Sequence, residues 1–118
     1  MRFANWKASV LSAFLLGMVV AALGVTISVS LAAPKFVVSQ KGREFHPNEL
    51  TIKRGDTVEI VNDDGDLRHH AYVKSDNFNF DSGDQEPGSK TDIVFSVAGD
   101  FDVLCAIHPK MKLVVHVK

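Results

Sequence analysis

Cys105, His108 and Met111 follow one another at intervals of three in the run Cys105-Ala106-Ile107-His108-Pro109-Lys110-Met111, and Cys105 is the only cysteine of the chain. A thiolate, an imidazole and a thioether on one short loop suit a soft metal ion. With a second imidazole in the same plane they make up the donor set that copper takes at electron-transfer sites, two nitrogens and a sulfur with a weak axial thioether. His69 and His70 are the candidates for that second imidazole.

Such a loop needs a rigid frame, and the rest of the chain reads as short strands and turns with no helical period to compete. Residues 35–40 form a first strand, closed by the Lys41-Gly42 turn signal. Residues 45–49 read as a connection in which Pro47 limits regular pairing. Leu50-Thr51-Ile52-Lys53 alternates apolar with polar, as a strand with one buried face does, and Arg54-Gly55-Asp56 turns the chain. Thr57-Val58-Glu59-Ile60-Val61 puts Val58 and Ile60 on one face, and residues 62–66 end it in an exposed polar loop. Residues 91–96 and 112–118 give further strands, with Ile93 and Phe95, and then Leu113, Val115 and Val117, on their inner faces. A turn at Ala98-Gly99-Asp100 and the run Phe101 to Leu104 lead into Cys105. Several short strands without intervening helices argue for an antiparallel sandwich or barrel.

The same alternation bears on the second imidazole. In the strand expected over residues 69–75, His69 shares a face with Ala71 and Val73, whereas His70 shares one with Tyr72 and Lys74. The apolar face therefore belongs to His69, and a register slip of one residue would substitute His70. His46 and His116 are expected at the surface.

Composition narrows the setting. The chain has 118 residues and a formal net charge of -1, room for one modest domain and no basic footprint for nucleic acid. Arg2 and Lys7 precede an uncharged apolar stretch over residues 8–33, which reads as a signal peptide or, left uncleaved, an N-terminal membrane anchor. Small residues at Ser30-Leu31-Ala32 offer a cleavage site, so residues 1–33 are set apart from a domain over residues 34–118. Export to the periplasm makes a lone cysteine informative, because in an oxidising compartment it has no intramolecular partner.

Other chemistries explain less of the pattern. A buried thiol acting as a small hydrophobe leaves His108 and Met111 unexplained. A Cys/His hydrolase built on Cys105 and His108 lacks an orienting residue and an oxyanion site. Zinc has little use for a thioether. Asp81, Asp84 and Glu86 lack the ordered spacing of a calcium loop and read as a solvated face. The chain is accordingly read as a non-enzyme.

The pattern Phe45-x-Pro47-x-x-Leu50-Thr51-Ile52-Lys53-x-Gly55-Asp56-Thr57-Val58, then Asn62, His69 and Cys105-x-x-His108-Pro109-x-Met111, resembles the cupredoxins, the small blue copper proteins. The likeness runs from about Phe36 to Val117, and the short ligand loop is most similar to that of amicyanin and the plastocyanin-like proteins of methylamine utilisation. The resemblance implies an all-β Greek-key sandwich. It implies His69, Cys105 and His108 as in-plane ligands of one copper ion cycling between Cu(I) and Cu(II), with Met111 axial. It also implies a monomeric one-electron carrier that docks redox partner proteins transiently around His108, where Ala106, Ile107 and Pro109 could form an apolar patch. Relatives commonly follow the ligand histidine with asparagine, where this chain has His70. Arg68, Lys110 and Lys112 are expected near that end and would favour an acidic partner. Copper binding for delivery is the alternative use of the same residues.

Overall fold

The computed structural model describes residues 22–28 and 35–118. Residues 22–28 are exposed and carry neither helix nor strand, and no described helix is long and apolar enough to cross a membrane. The rest of the expected signal or anchor segment, with its cleavage site, lies outside the described residues.

From Lys35 onward the chain is all β. In order come β1 (Lys35–Lys41), β2 (Glu44–His46), β3 (Glu49–Ile52), β4 (Thr57–Asn62), β5 (Ala71–Lys74), β6 (Asn79–Asp81), β7 (Lys90–Val94), β8 (Gly99–Cys105) and β9 (Lys112–Val117). They form two sheets, one ordered β2-β1-β4-β7 and the other β3-β9-β8-β5-β6. Alternation decides the inner faces: Val58 and Ile60 of β4, Val103 of β8, and Leu113 and Val115 of β9 are fully buried, as is Val38 of β1. Burying each such side chain contributes about 1.5–3 kcal/mol relative to leaving it in water.

Three features depart from the strand pattern expected of the sequence. The sandwich is not purely antiparallel, because β1 pairs with β4 and β3 pairs with β9 in parallel. Between β1 and β4 the chain visits the other sheet at β3, and between β3 and β9 it visits the first sheet at β4 and β7, so neither parallel pair is joined by a tight hairpin. The segment read as a plain connection holds β2, paired with β1 through a two-residue turn at Gly42 and Arg43, both with positive φ (64° and 60°). That backbone matches the twist of a two-residue hairpin, and Pro47 falls just beyond the paired residues. Gly99, expected in a turn, opens β8 opposite Val117 of β9.

Toward the start of β8 the core is aromatic: Phe78, Phe95 and Phe101 stack with ring centroids 5.2 to 6.0 Å apart. Phe78 thus anchors the long segment after β5 to the sandwich. The opposite end of β8 carries Cys105.

Candidate metal centre

Cys105 is the third inward residue of β8 after Phe101 and Val103, so its thiol continues the core face to the end of the strand and is buried. The hairpin from β8 to β9 then leaves the sheet and returns at Lys112, whose partner is Leu104. Met111 N–H donates to the His108 carbonyl at 3.0 Å, closing the turn. Ala71 of β5 pairs with Cys105. His69, two residues earlier, therefore lies opposite the loop, and Ala106 N–H fastens that loop to the His70 carbonyl at 2.9 Å.

These constraints bring three donor atoms together. Cys105 Sγ lies 3.9 Å from His69 Nδ1 and 3.6 Å from His108 Nδ1, and the two nitrogens are 3.2 Å apart. A triangle with those sides has a centre about 2.1 Å from all three atoms, within the roughly 2.0–2.3 Å of first-row metal bonds to imidazole and thiolate. Two nitrogens and one sulfur around a single point fit a soft transition-metal ion of copper type. Among the described residues this is the one group of three such donors within reach of one another.

The two imidazoles are held differently. His69 is fully buried, and its Nε2–H donates to Asp64 Oδ2 at 2.6 Å, leaving the Nδ1 lone pair to the site. The other oxygen of Asp64 accepts the Gly42 N–H at 3.0 Å. Burial pushes the Asp64 carboxyl upward, but the bonds from Gly42 and His69 outweigh it and hold the group below the usual carboxylate range. His108 is half-buried, and burial, reinforced by the electrostatic influence of the adjacent His69 and of Arg43, holds its imidazole below the ordinary value.

The remaining residues singled out in the sequence are distributed around this centre. Met111 is buried and lines the same cavity as His108 and Pro109. The strand expected from residue 69 begins only at Ala71, so His70 lies just before β5; it stays outside the cluster, its Nε2–H donating to Asp81 Oδ1 at 2.6 Å with Asp84 3.4 Å from Nδ1. His46 is exposed beside Glu44, and His116 lies between Asp100 and Glu49 on the outer face. Arg68, expected to favour an acidic partner, is itself paired with Glu86 at 2.9 Å and with Asp84.

The polar stretches read as solvated hide the supports of the site. Asn62 is fully buried instead of opening an exposed loop; its side chain donates to the Leu67 and Gln85 carbonyls and accepts the Asp64 N–H. Gln85 exchanges both backbone bonds with His69, while its side-chain oxygen accepts from Gln40 Nε2 and Ala71 N–H. For Asn62, the position itself gives a signal, since it keeps the inward parity of Val58 and Ile60. For Gln85, in a run of acids and glycines, no local pattern does.

No known family profile and no curated relative matches the chain. Among solved structures it is similar to a copper-containing nitrite reductase from Thermus scotoductus SA-01, at 33% identity and a TM-score of 0.67 over 75% of this chain. The chain spans 23% of that protein's length. It is also similar to a methionine-to-alanine mutant of amicyanin in its Cu(I) form, at 23% identity and a TM-score of 0.65. A reduced tryptophan-to-tyrosine mutant of amicyanin gives 24% and 0.66. Each amicyanin likeness covers 75% of this chain and 87% of the other.

Proposed function

We propose that this chain, a cupredoxin in its fold, carries single electrons on one copper ion held by His69, Cys105 and His108 in a plane with Met111 as the axial donor. What supports the reading above all is the triangle of two Nδ1 atoms and one Sγ around a point at bonding distance from each. Copper bound there supplies a Cu(I)/Cu(II) couple.

The chain's own residues do the rest. Cys105 and His108 sit on one hairpin fixed at both strands, and His69 is clamped by Asp64 and Gln85, so the donor atoms have little freedom to move between oxidation states. A frame that does not rearrange lowers the barrier to electron transfer. Ala106, Ile107 and Pro109 are exposed around half-buried His108, an apolar patch suited to brief docking of a redox partner. The same fixity disfavours copper delivery, in which the metal must leave readily. The nitrite reductase's activity stays with that protein. The chain is proposed to be no enzyme, to act as a monomer, and to work in the periplasm as a domain over residues 34–118, released from or anchored by residues 1–33.

The test is the visible spectrum of the full chain with Cu(II), before and after a mild reductant. An intense blue band that bleaches on reduction and returns on oxidation is expected. A colourless protein that binds Cu(I) tightly would move the function to copper handling, and no copper binding would remove the reading.

A further inference from the structure

Beside His108 the β1–β2 hairpin and the loop from β8 to β9 enclose two adjoining cavities of about 360 and 450 Å3. Both have Arg43, Glu44, Lys110 and Met111 in their walls, so they merge into one cleft, with His108 and Pro109 at one end and His46 and Lys112 at the other. Arg43, Lys110 and Lys112 are exposed and form no ion pair among the described residues, in contrast to Lys35 and Arg68, each held by two carboxylates. The one acid in the walls, Glu44, lies 3.5 Å from His46. A chain with a net charge of -1 thus gathers three cations, unpaired among the described residues, beside the half-buried His108.

Arg43 adds an independent observation. Its φ of 60° makes it the one non-glycine residue with positive φ among the described residues. Glycine or asparagine would occupy that turn without strain. A cation is kept where the backbone disfavours it, a pattern that points to use of the side chain.

We propose that this cleft docks an acidic redox partner protein, whose carboxylates lie against Arg43, Lys110 and Lys112 while its redox centre approaches His108. The proposal rests on the electron-carrier reading. An acidic protein face fits better than a small anion, because the cations stand spread along an open rim and the buried members of the walls, Phe45 and Met111, are apolar. Rim charges of this kind set the rate of encounter more than the strength of the complex.

The experiment compares the full chain with its R43N/K110Q/K112Q variant; asparagine at 43 removes the charge while suiting the turn. Each is loaded with copper, reduced, and mixed with a ferric acidic c-type cytochrome, a ferric basic one, or hexacyanoferrate(III). One electron leaves Cu(I), giving Cu(II), and the ferric iron becomes ferrous. At low ionic strength the variant is expected to react with the acidic cytochrome about tenfold more slowly, the gap closing near 0.5 M salt where screening shortens to a few ångströms. Its reaction with the basic cytochrome is expected to be undiminished. Unchanged rates overturn the proposal, and so does a loss confined to hexacyanoferrate, which would make the cleft a small-anion site. Amide shifts on adding the acidic cytochrome, read with and without copper, separate the two readings. Shifts confined to residues 42–46 and 106–112 are expected in both states. Their absence in a blue protein overturns the docking alone, whereas their presence in a protein that never turns blue supports the docking and retires the electron carrier.

Discussion

At the scale of single residues, the centre depends on how each donor is aimed. His69 has one ring nitrogen committed to Asp64, and Asp64 is in turn held by Gly42. Replacing Asp64 by Asn keeps the volume but removes the charge that holds the tautomer. Changes of this kind cost about 10–100-fold in metal affinity, so a chelator competition should show a weaker site in a folded Asp64→Asn protein. An unchanged affinity would mean that burial alone orients His69. Met111 is proposed to play a different part: Met111→Leu should retain the copper and the blue band while shifting the reduction potential, and loss of the metal would show that the thioether does more than cap the plane. The cluster of His69, Cys105 and His108 is legible in the sequence, because the loop spacing names two of them, with Met111 as a proposed fourth, and alternation favours His69 over its neighbour. Asp64 is not, because its role depends on a loop folding back over five residues, and a loop's path leaves no period in the sequence.

At the scale of elements, the edge of the second sheet carries a cross-strand clasp. His116 of β9 lies between Asp100 of β8, at 2.7 Å, and Glu49 of β3, at 2.9 Å. Asp100, first, and then Glu49 raise its imidazole above the ordinary 6.5. The charged form is the one the fold favours, so this stabilisation is complete below the unfolded value and is lost as pH climbs through the raised folded one. Urea unfolding should therefore show His116→Asn less stable than the parent at pH 6, with the difference gone by pH 9; a difference growing with pH would refute the clasp. His116 was expected to face solvent, and it does, yet its partners come from strands far apart in sequence. Strands with strict alternation, such as β4, β8 and β9, are readable one at a time. Which strands lie side by side, and that two pairs run parallel, is set by crossings between sheets, where residue patterns are weakest.

For the molecule as a whole, the proposed copper joins His69, just before β5, to Cys105 at the end of β8 and His108 in the loop that follows, so its binding energy is also folding energy. A ligand present at a hundred times its dissociation constant adds about 2.7 kcal/mol. In a domain of this size that is worth on the order of 10–20 °C in melting temperature. Calorimetry of the full chain with and without Cu(II) should show such a rise, reduced by whatever affinity the unfolded thiol and imidazoles retain; no rise would mean that the three donors are not gathered by folding. The sandwich is stabilised in two ways along its length. Around His69 it is tied by directional bonds from Asn62, Gln40 and Gln85, whereas toward the start of β8 it relies on the rings of Phe78, Phe95 and Phe101. Apolar association weakens on cooling, and hydrogen bonds do so far less. On cooling, the aromatic end is expected to loosen before the donor end, so the proposed electron exchange would persist at temperatures where the aromatic part of the core has begun to soften.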